Sequence, residues 1–161
     1  MSWSEDHAPR DVTLAGMAEL VLITAKECVP LRQEVLHPGR PVEESIYPHD
    51  EDERSTHYGV CQRGETLGVI SMLHEPRGEV GEEMWRLRGM AVLPDQQRKG
   101  YGSMLMKTIQ AIVGKRGSGL WAPVRTDVVD YCQGHGFVEQ GDAFDLEGLG
   151  PHVIMTWRPK P

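Results

Sequence analysis

Arg88-Gly89-Met90-Ala91-Val92-Leu93-Pro94, followed after two residues by Gln97-Arg98-Lys99-Gly100-Tyr101-Gly102-Ser103, is the stretch on which the reading of this chain turns. Met84 to Leu93 has the length and apolar content of a strand, and Pro94 ends it because proline has no N–H for a ladder. From Tyr101 to Val113, the residues Leu105, Ile109, Ile112 and Val113 fall on one stripe at helical spacing. A strand therefore ends, a short loop follows, and a helix opens at the glycines. Such a loop presents backbone N–H groups without helical acceptors, at the positive end of the helix dipole. Gly100 and Gly102 carry no side chain, so an anion can approach the backbone closely, and Arg98 and Lys99 add positive charge beside it. The segment reads as a cradle for a diphosphate.

Outward from this loop, the rest of the chain supplies a mixed set of elements. Leu20 to Thr24 is a short apolar run suited to a buried strand, and Lys26 to Leu36 carries Val29, Leu31, Val35 and Leu36 near helical spacing until His37-Pro38-Gly39 stops it. Arg40 to Arg54 is polar and holds Pro41, Pro48 and the run Asp50-Glu51-Asp52-Glu53, which reads as a solvated surface loop or short helix. His57 to Gln62 and Thr66 to Leu73 flank Arg63-Gly64 as two strands around a tight turn. After the central helix, which Gly114 and Gly117 should close, come a strand from Leu120 to Val124 and a short helix from Asp127 to Gln133. Two final strands are expected at Phe137 to Gln140 and His152 to Trp157. Three strands in succession suggest an antiparallel meander, and the later strand-helix-strand alternation suggests parallel pairing under helices. The expectation is α/β, a single domain over residues 11–161 with one mixed sheet and helices on both faces, preceded by a loose tail at residues 1–10.

Bulk properties remove several classes. With 161 residues, 39% hydrophobic and 25% charged, the chain is long enough for one real core and is not of disordered composition. No apolar run nears the ~20 residues that span a bilayer, so no membrane partner is expected. Met1 to Arg10 lacks the basic-then-apolar order of a secretory signal. Cys28, Cys61 and Cys132 are few, odd in number and far apart, which fits reduced thiols in a cytoplasmic setting. Neither these nor the seven scattered histidines have metal-ligand spacing, so no metal is expected. The net charge of −7 disfavours nucleic acid as a partner and is compatible with a cationic one, although surface carboxylates ordinarily only solvate.

Three phosphate-binding patterns compete for the loop. A Walker loop needs Gly-Lys-Ser/Thr, whereas Gly114-Lys115 is followed by Arg116. A dinucleotide fingerprint needs a third glycine and a later acidic residue at a strand end, and neither is in place. The remaining pattern, Gln97-Arg98-Lys99-Gly100-Tyr101-Gly102 after a strand, resembles the GNAT superfamily of acyl-CoA-dependent N-acyltransferases. The resemblance extends to Arg125-Thr126-Asp127-Val128-Val129-Asp130-Tyr131-Cys132 ending in Gly136-Phe137, which is similar to the family's second block. Leu31-Arg32, Val35-Leu36-His37-Pro38-Gly39 and Gly148-Leu149-Gly150-Pro151-His152 resemble a bacterial subgroup.

That resemblance implies a strand pair that splays beyond Val92 and the strand at Leu120 to Val124. Acetyl-CoA is the implied cosubstrate, its pantetheine lying along the backbone of Met90, Ala91 and Val92. Its diphosphate would rest on Gln97, Arg98, Lys99, Gly100, Tyr101, Gly102 and Ser103. The implied reaction is direct attack of an amine, from a small molecule or a protein, on the thioester. In relatives a glutamate sometimes stands where Arg86 stands here, and arginine cannot act as a base. Glu75, Glu82 and Glu83 lie near that edge and read more simply as solvated residues. The usual acid, a tyrosine, is replaced in register by Cys132, with Tyr131 in the preceding aromatic position. Both are candidates for the acid, against the plainer readings of a buried filler and a packing ring; Cys132 is expected to be dispensable. Arg32 and His57-Tyr58 could line the acceptor side by family position. His37, His74, His135 and His152 read as structural or surface histidines, and Trp85, Trp121 and Trp157 as core. A non-catalytic acyl-CoA-binding module of the same fold is the rival function, and a homodimer is compatible with either.

Overall fold

In the computed structural model, which describes residues 17–77 and 84–161, the elements run strand, helix, three strands, helix, strand, helix, two strands. They are β1 (Glu19–Ile23), α1 (Ala25–Leu31), β2 (Thr56–Gln62), β3 (Glu65–Leu73), β4 (Met84–Val92), α2 (Tyr101–Lys115), β5 (Gly119–Arg125), α3 (Val129–Gly134), β6 (Val138–Leu146) and β7 (Gly150–Trp157). The strands form one mixed sheet in the hydrogen-bonded order β1-β2-β3-β4-β5-β7-β6. The expected α/β class holds. The expected residues 1–10, Glu82 and Glu83 lie outside the described residues.

Among the described residues, those of 1–71 and 89–105 form one compact unit and those of 72–88 and 106–161 another. In the first, β1 pairs antiparallel with β2, Leu20 opposite Val60, and β2 turns into β3 through Arg63 and Gly64, both at positive φ. Thr24 caps α1 reciprocally with Glu27: each side chain accepts the other's backbone N–H, at 3.2 and 2.8 Å. Pro30 removes one N–H from α1, and the chain widens into a π-type turn over Arg32–Leu36 rather than continuing as the regular helix expected to Leu36. The core of this unit packs Cys28, Leu31, Val69 and Ala91 with Ile23, Val35 and Leu93.

In the second unit, β5 pairs antiparallel with β7 from Leu120 opposite Trp157 to Arg125 opposite His152. Among the described residues its parallel ladder with β4 has three pairs, Met84 with Gly119, Trp85 with Leu120 and Arg86 with Trp121. Ile109, Val113, Leu120, Phe137 and Met155 are buried here, as is Trp85. Gly114 lies inside α2 rather than closing it. The closure belongs to Gly117, whose N–H bonds the Gly114 carbonyl at 3.0 Å while Ser118 N–H bonds that of Val113 at 3.2 Å. The penultimate strand is longer than the expected Phe137 to Gln140, because a register shift between Gln140 and Phe144 lets it pass Gly141 and pair with β7 up to Leu146.

Two expectations fail in one place. Asp50 is not a solvated member of an acidic loop, and Arg32 does not line an acceptor surface: they are 5% and 0% exposed and form an ion pair at 2.7 Å. A charge taken out of water is tolerated when it is paired and hydrogen-bonded, and these two satisfy each other.

Candidate functional site

The loop between β4 and α2 has an unusual backbone. After Val92, Leu93 N–H bonds the Leu67 carbonyl at 2.9 Å, Pro94–Gln96 make one tight turn, and Gln97 is extended. Arg98 then takes φ +67° and Gly100 φ +88°. For Arg98 this left-handed conformation costs on the order of 1 kcal/mol, a strain that folded proteins keep mainly where it serves a ligand. Gly100 adopts it freely, and a Cβ built there would meet nothing within 4 Å, so the space over its backbone is open. The first helical bond of α2 runs from Met104 N–H to the Gly100 carbonyl at 3.0 Å, so the N–H groups of Tyr101 and Gly102 have no acceptor within the helix.

Side chains brace this backbone. Gln97 donates its amide to the Val92 carbonyl at 3.0 Å, tying the loop to the end of β4, and Lys99 Nζ donates to Gln96 Oε1 at 3.1 Å. Arg98 is exposed, and its guanidinium has no partner among the described residues. Every residue expected to bind the cofactor, Met90 to Val92 and Gln97 to Ser103, thus lies in the first unit, on one continuous strand-loop-helix segment. Ala91 points into the core at 2% exposure and can offer a ligand only its backbone.

Within β4, Gly89 takes φ +72°, a left-handed conformation that favours glycine. A Cβ there would meet Arg32 and Tyr47. The Arg32 Nη1 donates to Asp50 Oδ2 at 2.7 Å and to the Ser45 carbonyl at 2.9 Å, and Nη2 donates to Asp50 Oδ1 at 3.0 Å and to Ser71 Oγ at 2.8 Å. Asp50 also accepts the Tyr47 N–H at 2.9 Å. His57 is part of this cluster and not of an acceptor surface: it is buried, with Nδ1 2.7 Å from Ser71 Oγ and Nε2 3.0 Å from the Asp50 carbonyl. A proton on Nε2, donated to that carbonyl, leaves Nδ1 to accept from Ser71. His37, through Nε2, bonds the Tyr47 hydroxyl at 2.9 Å.

The acid candidates belong to the second unit. Cys132, on α3, is 5% exposed, and burial pushes its thiol up to about 11. Tyr131 is 37% exposed, its ring 4.9 Å from that of His135. In the same unit, Glu75 is not a solvated residue but pairs with Arg86 at 3.1 Å, and its carbonyl accepts Trp121 Nε1 at 2.8 Å. His152 is buried, its Nδ1 2.9 Å from the Gly150 carbonyl, which agrees with a structural role. Among the described residues no group of His, Cys, Asp and Glu could hold a metal ion.

The buried Arg32 cluster is what sequence reasoning missed. Its one signal is an arginine inside an apolar helical pattern, between Leu31 and Val35. Nothing local reveals that a member of the acidic run Asp50 to Glu53 is its partner.

Comparison with known proteins completes the site. The model of the Acetyltransferase (GNAT) family matches residues 23–137. An uncharacterised N-acetyltransferase of Bacillus subtilis (strain 168), YitI, is 30% identical over 141 residues, covering 86% of this chain and 95% of its own. The crystal structure of Escherichia coli ElaA has the same fold, with a TM-score of 0.72 at 15% identity over 88% of this chain and 100% of that one. So has an aminoglycoside 6′-N-acetyltransferase crystallised with coenzyme A, with a TM-score of 0.64 at 14% identity over 89% and 99%. The chain therefore belongs to the GNAT family of acetyltransferases and is an N-acetyltransferase.

Proposed function

We propose that the chain transfers the acetyl group of acetyl-CoA to the amine of an acceptor by direct attack on the thioester. The observation that carries this reading is the loop from Gln97 to Ser103. It combines a strained Arg98 and a left-handed Gly100 with unbonded helix N–H groups and a free guanidinium. A diphosphate satisfies these donors with charge-assisted bonds. Pantetheine, an amide chain, lies along the backbone of Met90 to Val92 as an added strand does. The Val92 carbonyl, which already accepts from Gln97, keeps one lone pair for it.

In the reaction the acceptor amine forms the C–N bond, the C–S bond breaks, and the amine's proton leaves as the CoA thiolate gains one. An amine with pKa ~10.4 is mostly protonated at neutral pH, so attack needs a route for that proton. Glu75 is occupied by Arg86, so we assign the base to solvent. Cys132 is 5% exposed and burial raises its thiol, both of which oppose a part in proton transfer, so we assign the protonation of CoA to solvent as well. Residues 11–161 constitute the catalytic domain, and the three free thiols fit a reducing, cytoplasmic setting.

The test is thiol release from acetyl-CoA in a panel of primary amines, with the acetylated product identified by mass. Product with at least one amine supports the reading. Tight CoA binding without turnover in any amine would replace it with a binding module.

A further inference from the structure

Arg32 has no exposed surface, and its five N–H donors divide unequally. The two Nη atoms serve Asp50, Ser45 and Ser71, which fixes the plane and position of the guanidinium. Among the described residues the Nε–H has no hydrogen-bond acceptor. Gly89 lies beside it: a Cβ added there would be 3.1 Å from Arg32 Nε and 3.1 Å from Tyr47 Cε2. The Tyr47 ring lies under the guanidinium, 4.0 Å from its central carbon. The left-handed Gly89 therefore packs, on its one open side, against a locked cation and the ring stacked on it, immediately before Met90.

A buried ion pair is a weak source of net stability, because desolvation cancels most of its attraction. What a bidentate, planar pair does supply is a fixed geometry. We propose that Arg32, held by Asp50 and Ser71, is a positioning residue. With Tyr47 it sets the left-handed backbone at Gly89 and so aims the backbone groups of Met90 to Val92 at the pantetheine of CoA. This rests on the reading of Met90 to Val92 given above. Misaiming a hydrogen-bonding edge by a fraction of an ångström weakens only what binds to that edge, whereas general loosening weakens every ligand.

The experiment compares the dissociation constants of CoA and 3′-phosphoadenosine 5′-diphosphate, which keeps the nucleotide and all three phosphates but has no pantetheine. Both are measured by calorimetry on the wild type, Arg32→Lys and Gly89→Ala. Lysine keeps the charge but not the fork. Alanine removes neither partner of the ion pair, but its methyl group strains the left-handed backbone and lies 3.1 Å from Arg32 Nε and Tyr47 Cε2, so it disturbs the same contact from the side of the strand and decides the matter if Arg32→Lys does not fold. CoA should weaken about tenfold relative to the pantetheine-free nucleotide, whose own affinity should stay within about twofold. Equal weakening of both ligands, or of neither, would overturn the positioning role. A wild type that prefers CoA no more than the pantetheine-free nucleotide would remove the pantetheine contact itself, an outcome visible before any variant is made.

Discussion

The side-chain amide of Gln97 donates to the carbonyl of Val92 at 3.0 Å, so the loop between β4 and α2 is fastened to the last residue of the strand before it. One contact thus couples the two parts that the proposed function assigns to CoA. Gln97→Glu keeps the length and turns the donor into an acceptor aimed at a carbonyl, with its charge beside the diphosphate. CoA affinity should fall about tenfold or more, which is about 1.4 kcal/mol or above, and Gln97→Ala should cost less, about 1 kcal/mol. Since Gln97 is exposed, neither change should lower the melting temperature by more than about two degrees. Titration calorimetry with CoA beside a thermal melt separates the two effects.

Arg98 should show stability and binding moving in opposite directions. Its φ of +67° is a conformation glycine adopts without cost. Arg98→Gly should hold or raise stability, by up to about 1 kcal/mol, while weakening CoA. Arg98→Ala keeps the strain and loses the charge, so it should weaken CoA without any gain. A melt of the two variants with and without CoA gives the comparison, and a destabilised Arg98→Gly would show that the strain is not there.

The buried thiols make a prediction about alkali. Burial raises both Cys28 and Cys132 from about 9 to about 11, so the folded state favours the protonated thiol. A raised acid contributes stability below its unfolded value and loses it as pH rises through the folded one. Stability should therefore decline between about pH 9 and pH 11, by roughly 3 kcal/mol per thiol at most. Cys132→Ala should flatten part of that decline in urea melts at pH 8 and pH 10.5. It should also keep most of the turnover with the best acceptor. A hundredfold loss of kcat at unchanged KM would instead identify Cys132 as the acid.

Gly119 opens β5 where no side chain fits. A Cβ there would lie 2.5 Å from the Trp157 carbonyl and 2.8 Å from Met84 Cε, and the carbonyl belongs to the β7 backbone, which cannot yield as a side-chain tip can. Gly119→Ala should cost about 1–3 kcal/mol in chemical denaturation. A loss below about 0.5 kcal/mol would mean that the strand ends part easily.

Much of this was legible from residues alone, because the information was local. The strand ended by Pro94, the stripe of Leu105, Ile109 and Val113, and the turn at Arg63-Gly64 depend on neighbours a few positions away. The order of elements followed from them. What escaped depends on distant pairings. Asp50 reads as one of four consecutive acids until Arg32, eighteen positions earlier, is seen to take its carboxylate out of water. Glu75 reads as solvated until β4 brings Arg86 alongside. The left-handed backbone at Gly89 is equally silent, because an ordinary apolar strand can carry one glycine without leaving the extended conformation.

Acetyl-CoA binding by the loop is the central claim, and the thermal shift of the wild type against Gly102→Asp tests it most directly. An aspartate in the first turn of α2 suits the helix dipole, so the fold should survive, while its carboxylate occupies and repels the diphosphate position. At a hundred times its dissociation constant, acetyl-CoA should stabilise the wild type by about 2.7 kcal/mol, roughly 5–10 °C in melting temperature, and leave Gly102→Asp unmoved. ATP and NAD should shift neither protein. An equal shift of both proteins by acetyl-CoA, or none in the wild type, would contradict the account.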